Sequence, residues 1–185
     1  MAEYKVQRRV AGEHDFRLDG MADLLHRARG VSVLDIGCNR GMVGLEFARN
    51  GANKVHGLDI YEPGIAAARE VFADIRSVDS RFEVCDLTRG PEHLPLTGNY
   101  DIVLCLATYH KLKRVMAADA LSSLFVQFGS MTKGYFGWRA TSDKPDENDQ
   151  EMKALDRDLG DAGLRRIHTS YISTELGVAA IWARV

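Results

Sequence analysis

Short apolar runs rich in valine and isoleucine alternate along this chain with longer segments of helical periodicity, and that alternation admits few folds. Strands joined by helical crossovers run parallel, so the pattern predicts an α/β protein whose mostly parallel sheet is covered by helices. The predicted strands are Val31–Ile36, Lys54–Leu58, Arg81–Val84, Tyr100–Leu106 and Met131–Phe136. The first and fourth are apolar enough to lie centrally. After Pro63, Ile65, Ala68, Phe72 and Ile75 fall at helical spacing, as do Met152, Leu155, Leu159 and Ala162 before Gly163. Met21, Leu24, Leu25 and Ala28 predict a helix near the start, within an N-terminal helical segment, residues 1–30. The tail, Arg165–Tyr171 and Gly177–Arg184, reads as two strands that pair antiparallel at the sheet edge. Residues 137–150 contain RATSDKPDENDQ, whose acidic, proline-bearing composition predicts an exposed loop beside the functional site.

With 185 residues, one domain is the expectation. The content is 45% hydrophobic and 27% charged, and no stretch approaches the roughly 20 apolar residues that span a bilayer. The first residues are basic without an apolar run behind them, which reads as neither signal peptide nor anchor, so the expected location is cytoplasmic. The 24 basic and 26 acidic residues are well mixed, so nothing global attracts a nucleic-acid backbone. Cys38, Cys85 and Cys105 lack CxxC pairing and read as reduced thiols.

Three strand ends carry carboxylates. Val33-Leu34-Asp35-Ile36-Gly37-Cys38-Asn39-Arg40-Gly41 is a strand closing on an acid and a glycine turn, then entering a helix through Met42–Arg49. Gly37 and Gly41 permit positive backbone angles and close approach of a ligand, and the helix start presents free N–H groups. The GxGxxG spacing of a pyrophosphate cradle is absent, because Asn39 holds the middle position. Gly44 fits close helix-to-sheet packing better than ligand contact. Asp59 closes the next strand just over twenty residues after Asp35, where a ribose acceptor is expected. Asp86 ends the third strand, and its carboxylate suits either an adenine amino group or a helix cap.

On these residues the chain resembles the class I S-adenosylmethionine (SAM)-dependent methyltransferase family across roughly Val31–Phe136, with the tail matching that family's antiparallel final hairpin. The resemblance implies a seven-stranded Rossmann-like sheet with SAM as cofactor. It places Asp35, Gly37 and Gly41 around the methionyl part, Asp59 on the ribose hydroxyls and the Asp86 segment on adenine. Cys38, Asn39, Ile60, Leu87 and Leu106 complete the expected cofactor-binding set. Asn39 departs from the family's usual glycine, and asparagine tolerates left-handed geometry better than most residues.

Methyl transfer from a sulfonium is an in-line displacement, so the protein's main task is alignment. Tyr109 and His110 leave the fourth strand where the resembling family contacts its acceptors, and they are the candidate catalytic residues; His110 could take a proton near neutral pH. Tyr135, Phe136, Trp138 and Arg139 could form an aromatic wall with one cation for a planar or acidic acceptor. The Asn/Asp/Ser-Pro-Pro-aromatic motif of nucleic-acid N-methylating members is missing, and no acidic cluster with metal spacing appears, so no metal is expected. The expected function is methyl transfer to a small-molecule or sugar-type acceptor. Alternatives are a protein methyltransferase and a catalytically silent SAM-fold binding partner; an NAD oxidoreductase fits poorly without GxGxxG.

Overall fold

The computed structural model describes residues 16–96, 98–140, 144–173 and 177–185. Its seven strands are β1 (Ser32–Ile36), β2 (Lys54–Asp59), β3 (Asp79–Val84), β4 (Tyr100–Leu106), β5 (Thr132–Arg139), β6 (Leu164–Ser173) and β7 (Gly177–Arg184). They form one sheet in the order β3-β2-β1-β4-β5-β7-β6, with β1 to β5 parallel and β7 antiparallel to both neighbours. The helices are α1 (Asp23–His26), α2 (Met42–Arg49), α3 (Glu62–Phe72), α4 (Tyr109–Lys113), α5 (Ala118–Met131) and α6 (Pro145–Asp161).

Strand order reverses between β1 and β4: successive crossovers run one way to β2 and β3, the other way to β4 and β5. That reversal opens a crevice at the carboxyl ends of the strands, where ligands bind in open α/β sheets. Every residue of β1 is buried. Leu34 and Ile36 join the core under α5 and α6, while Val33 joins the core under α1, α2 and α3. The alternation follows from the period-two geometry of a strand covered on both faces. Asp101 pins the starts of β1 and β4 together, its Oδ2 accepting from the Ser32 amide at 2.8 Å and hydroxyl at 2.6 Å.

The predicted loop at 137–150 is corrected. β5 continues to Arg139, and α6 begins at Pro145; residues 141–143 lie outside the described residues. Pro145 sits in the first helical turn with Asp146 and Glu147, which are helix-start signals. The buried stripe of α6 runs Asn148, Glu151, Met152, Leu155, Asp158 and Leu159, and its polar members disguise the helical period. The expected aromatic wall is corrected too: Phe136 and Trp138 are fully buried and Arg139 nearly so, because β5 is an inner strand. α5 was not anticipated, although Leu121, Leu124, Phe125 and Phe128 form a regular apolar stripe. The tail strands pair antiparallel as expected, with β7 inside and β6 at the edge; their link, residues 174–176, and residues 1–15 of the N-terminal segment lie outside the described residues.

Candidate active site

The chain leaves β1 through Gly37, Asn39 and Gly41, all in the left-handed region at φ 78°, 49° and 70°. A side chain at Gly37 would put its Cβ 2.1 Å from Thr108 Oγ1, so backbone alone fits there. Asn39 accommodates the tight turn where a glycine is usual, and its amide donates to Asp59 Oδ2 at 2.8 Å. The Tyr61 amide donates to Asp59 Oδ1, also at 2.8 Å. Two backbone N–H groups thus fix the carboxylate plane, and each oxygen keeps a further lone pair for a ligand.

This carboxylate lies on a cavity of about 680 Å³ at the carboxyl ends of β1 to β4. Ligand pockets run from roughly 300 to 1,000 Å³. Of the predicted cofactor set, Gly37, Asn39, Asp59, Ile60, Asp86, Leu87 and Leu106 line it. Ile60 is 65% exposed, a large apolar surface offered to the cavity. Asp86 also caps the turn at Leu87–Arg89: its Oδ1 accepts from the Thr88 hydroxyl at 2.7 Å and amide at 3.0 Å, bonds that hold its pKa below the usual carboxylate value.

Asp35, Cys38 and Gly41 stand behind that lining. Asp35 is 3% exposed, and Gly41 packs toward Ala68, where a Cβ would come within 3.0 Å. Cys38 is buried, and its thiol is pushed far up by burial, then by the carboxylates of Asp35 and Asp59, which leaves it inert. All three cysteines are free thiols.

The candidate catalytic pair separates. Tyr109 is a core residue, 4% exposed, with its ring 4.8 Å from that of Phe125 and its hydroxyl pKa raised by burial. His110 is half-buried, and its pKa is lowered by burial and then by Lys111 and Arg114. Neither lines the cavity, whereas Lys111 and Leu112 of the same short helix do. Successive residues of a helix point about 100° apart, so the turn that seats Tyr109 in the core carries His110 off to the side. Sequence reasoning missed Ala107 and Thr108. Ala107 has φ 58°, and among the described residues Asn39 is the one other non-glycine with positive φ. Both line the cavity, so the backbone strain of the described chain gathers there. Neighbouring Thr108 carried no sequence signal, because threonine after a strand is unremarkable.

A doubly wound sheet with a fixed acidic residue at the end of β2 and a glycine turn at the end of β1 defines a nucleoside-binding protein of the Rossmann-like class. A model of the methyltransferase domain matches residues 33–126, and the chain belongs to the class I SAM-dependent methyltransferase family. It is 36% identical over 92 residues to a ubiquinone biosynthesis O-methyltransferase of Neisseria meningitidis, covering 48% of this chain and 35% of that protein. The chain thus spans about a third of the length of that relative. Magnesium protoporphyrin IX methyltransferase of Synechocystis PCC 6803, solved with bound SAM, superposes with TM-score 0.66 at 20% identity, covering 99% of this chain and 91% of that one. An amino pentose methyltransferase of Micromonospora echinaspora, also SAM-bound, superposes with TM-score 0.67 at 16% identity, covering 100% and 96%.

Proposed function

We propose that this chain binds SAM in the cavity between Gly37 and Asp86 and transfers its methyl group to a small-molecule or sugar-type acceptor. The observation that carries the reading is Asp59, a carboxylate locked by the Asn39 and Tyr61 amides at the mouth of a cavity of ligand size. The lining fits the cofactor part by part. Asp59 offers paired acceptors for two ribose hydroxyls, Ile60 and Leu87 offer apolar faces for adenine, and the second oxygen of Asp86 can accept from its amino group. The bare backbone of Gly37 allows the methionyl part close approach.

When bound, SAM would supply a sulfonium methyl carbon open to in-line attack by an acceptor lone pair, the thioether leaving with the carbon–sulfur electron pair. The chain's own contribution is positioning, worth roughly 7–11 kcal/mol when both partners are held in an attack geometry. Thr108, turned by the strained Ala107 and facing Gly37, stands at the seam between the β1 and β4 ends. We route no proton through Tyr109 or His110. Relatives named for a quinone, a porphyrin and an amino sugar support a small acceptor. Among the described residues no helix is long and apolar enough to cross a membrane.

The test is thermal. At 100 times its Kd a ligand adds about 2.7 kcal/mol, so SAM or its demethylated product, S-adenosylhomocysteine, should raise the melting temperature by roughly 5–11 °C. NAD should leave it unchanged. An unchanged melting temperature with millimolar SAM would defeat the proposal.

A further inference from the structure

The charged groups of the cavity are divided by sign and by place. Its two carboxylates, Asp59 and Asp86, sit at the ends of β2 and β3, and both are used by the cofactor reading. Its cations come from elsewhere: Arg17 from the N-terminal turn, Arg40 from the β1–α2 turn and Lys111 from α4. The cofactor's methionyl end carries an ammonium beside its carboxylate, so it brings no net negative charge to set against Arg40 or Lys111. Arg40 and Lys111 are exposed, and neither side chain has an ion pair or hydrogen bond among the described residues. On α4 and the turn after it, Lys113 is the basic residue with an acidic partner among the described residues, Glu151 at 3.9 Å.

Beside Lys111 the lining turns apolar. Val115, in the turn after α4, lines the same cavity and is 70% exposed, and buried Leu112 lines it too. A bare valine next to an unneutralised ammonium, both facing one cavity, is complementary to a ligand with an apolar body and a negative group. Inside a partly enclosed cavity that charge acts through a lower dielectric than on an open surface.

We infer that the methyl acceptor is a small amphipathic acid whose anionic group is held by Lys111, aided by Arg40, and whose apolar body rests on Leu112 and Val115. The inference rests on the cofactor reading above and adds the substrate's chemical class. The shared chemistry is an anionic oxygen group, carboxylate or phosphate.

The experiment titrates the full chain, saturated with S-adenosylhomocysteine, with benzoate, phenyl phosphate, the neutral isostere benzamide and inorganic phosphate. At least one aromatic anion should bind about tenfold or more tightly than benzamide, the scale of one charged hydrogen bond. The tighter of the two identifies carboxylate or phosphate, and inorganic phosphate should bind more weakly for want of an apolar body. Lys111→Gln should weaken the preferred anion about fivefold or more and Lys111→Glu should abolish its binding, while S-adenosylhomocysteine affinity stays within about twofold. Equal binding of benzamide and both anions, no binding of any probe, or unchanged anion affinity in Lys111→Gln would each overturn the inference. Failure of S-adenosylhomocysteine to bind the wild-type chain would instead overturn the cofactor reading, before any acid is added.

Discussion

Asp59 does two things with one carboxylate. Its oxygens each accept a backbone amide, from Asn39 and Tyr61, so it ties the β1 turn to the start of α3 while facing the cavity. Removing it therefore deprives a ligand of its acceptor and also releases the turn that shapes the pocket. Asp59→Ala should weaken S-adenosylhomocysteine binding by about 1.5–3 kcal/mol, the scale of charge-assisted hydrogen bonds, measured by calorimetry. Asp59→Asn should fall nearly as far, because an amide nitrogen set against the Asn39 or Tyr61 N–H repels it. If both variants titrate like the wild type, Asp59 serves the turn alone.

At the scale of elements, α2 lies against β2 through a glycine. A Cβ at Gly44 would stand 2.6 Å from Val55 Cγ1, and valine has little rotamer freedom with which to yield. Gly160, inside α6, would meet nothing within 4 Å. The two glycines thus predict opposite outcomes. Gly44→Val should destabilise by about 1–3 kcal/mol through overpacking, lowering the melting temperature by roughly 2–12 °C. Gly160→Ala should stabilise by about 0.5–1 kcal/mol, because an exposed helical glycine costs backbone entropy with no steric return. Losses of similar size in both would show that α2 is not held by close approach. The elements themselves were legible where the buried positions are apolar, on both faces in β1 and β4 and on one stripe in α3. α6 was illegible at its first turns because Asn148 and Glu151 occupy core-facing positions that composition assigns to solvent.

At the scale of the molecule, the N-terminal turn is fastened near the end of β5 by buried charge. Asp19 is 8% exposed, and burial pushes its carboxyl up to about 6 against the opposing pull of Arg139. A carboxyl whose folded pKa is raised binds its proton more tightly folded than unfolded. Its contribution therefore favours folding below its ordinary value of 3.8 and is lost as pH rises from there through about 6. Asp19→Asn removes that dependence. The melting temperature of the wild type relative to Asp19→Asn should fall between pH 4 and pH 6.5 and then level off, read by calorimetric scans of both proteins. A difference that stays constant across that range would show that Asp19 is ionised throughout. Arg17, two residues earlier, lines the cavity, so this fastening also sets one of its walls.

The sequence by itself determined the parallel sheet, the three acidic strand ends and the glycine turn. Each depends on residues near one another in the chain, where strand period, turn geometry and apolar patterning act locally. The tertiary structure decided which of those residues meet. It inserted β7 between β5 and β6, so that Trp138 and Arg139 became core residues instead of an acceptor wall. It seated Tyr109 against Phe125 and brought Lys111 to the cavity, a choice between adjacent residues of a five-residue helix. That choice rests on the angle at which α4 leaves β4, through the left-handed Ala107 and against the packing of α5. Such an angle is set by long-range packing, and no local pattern records it.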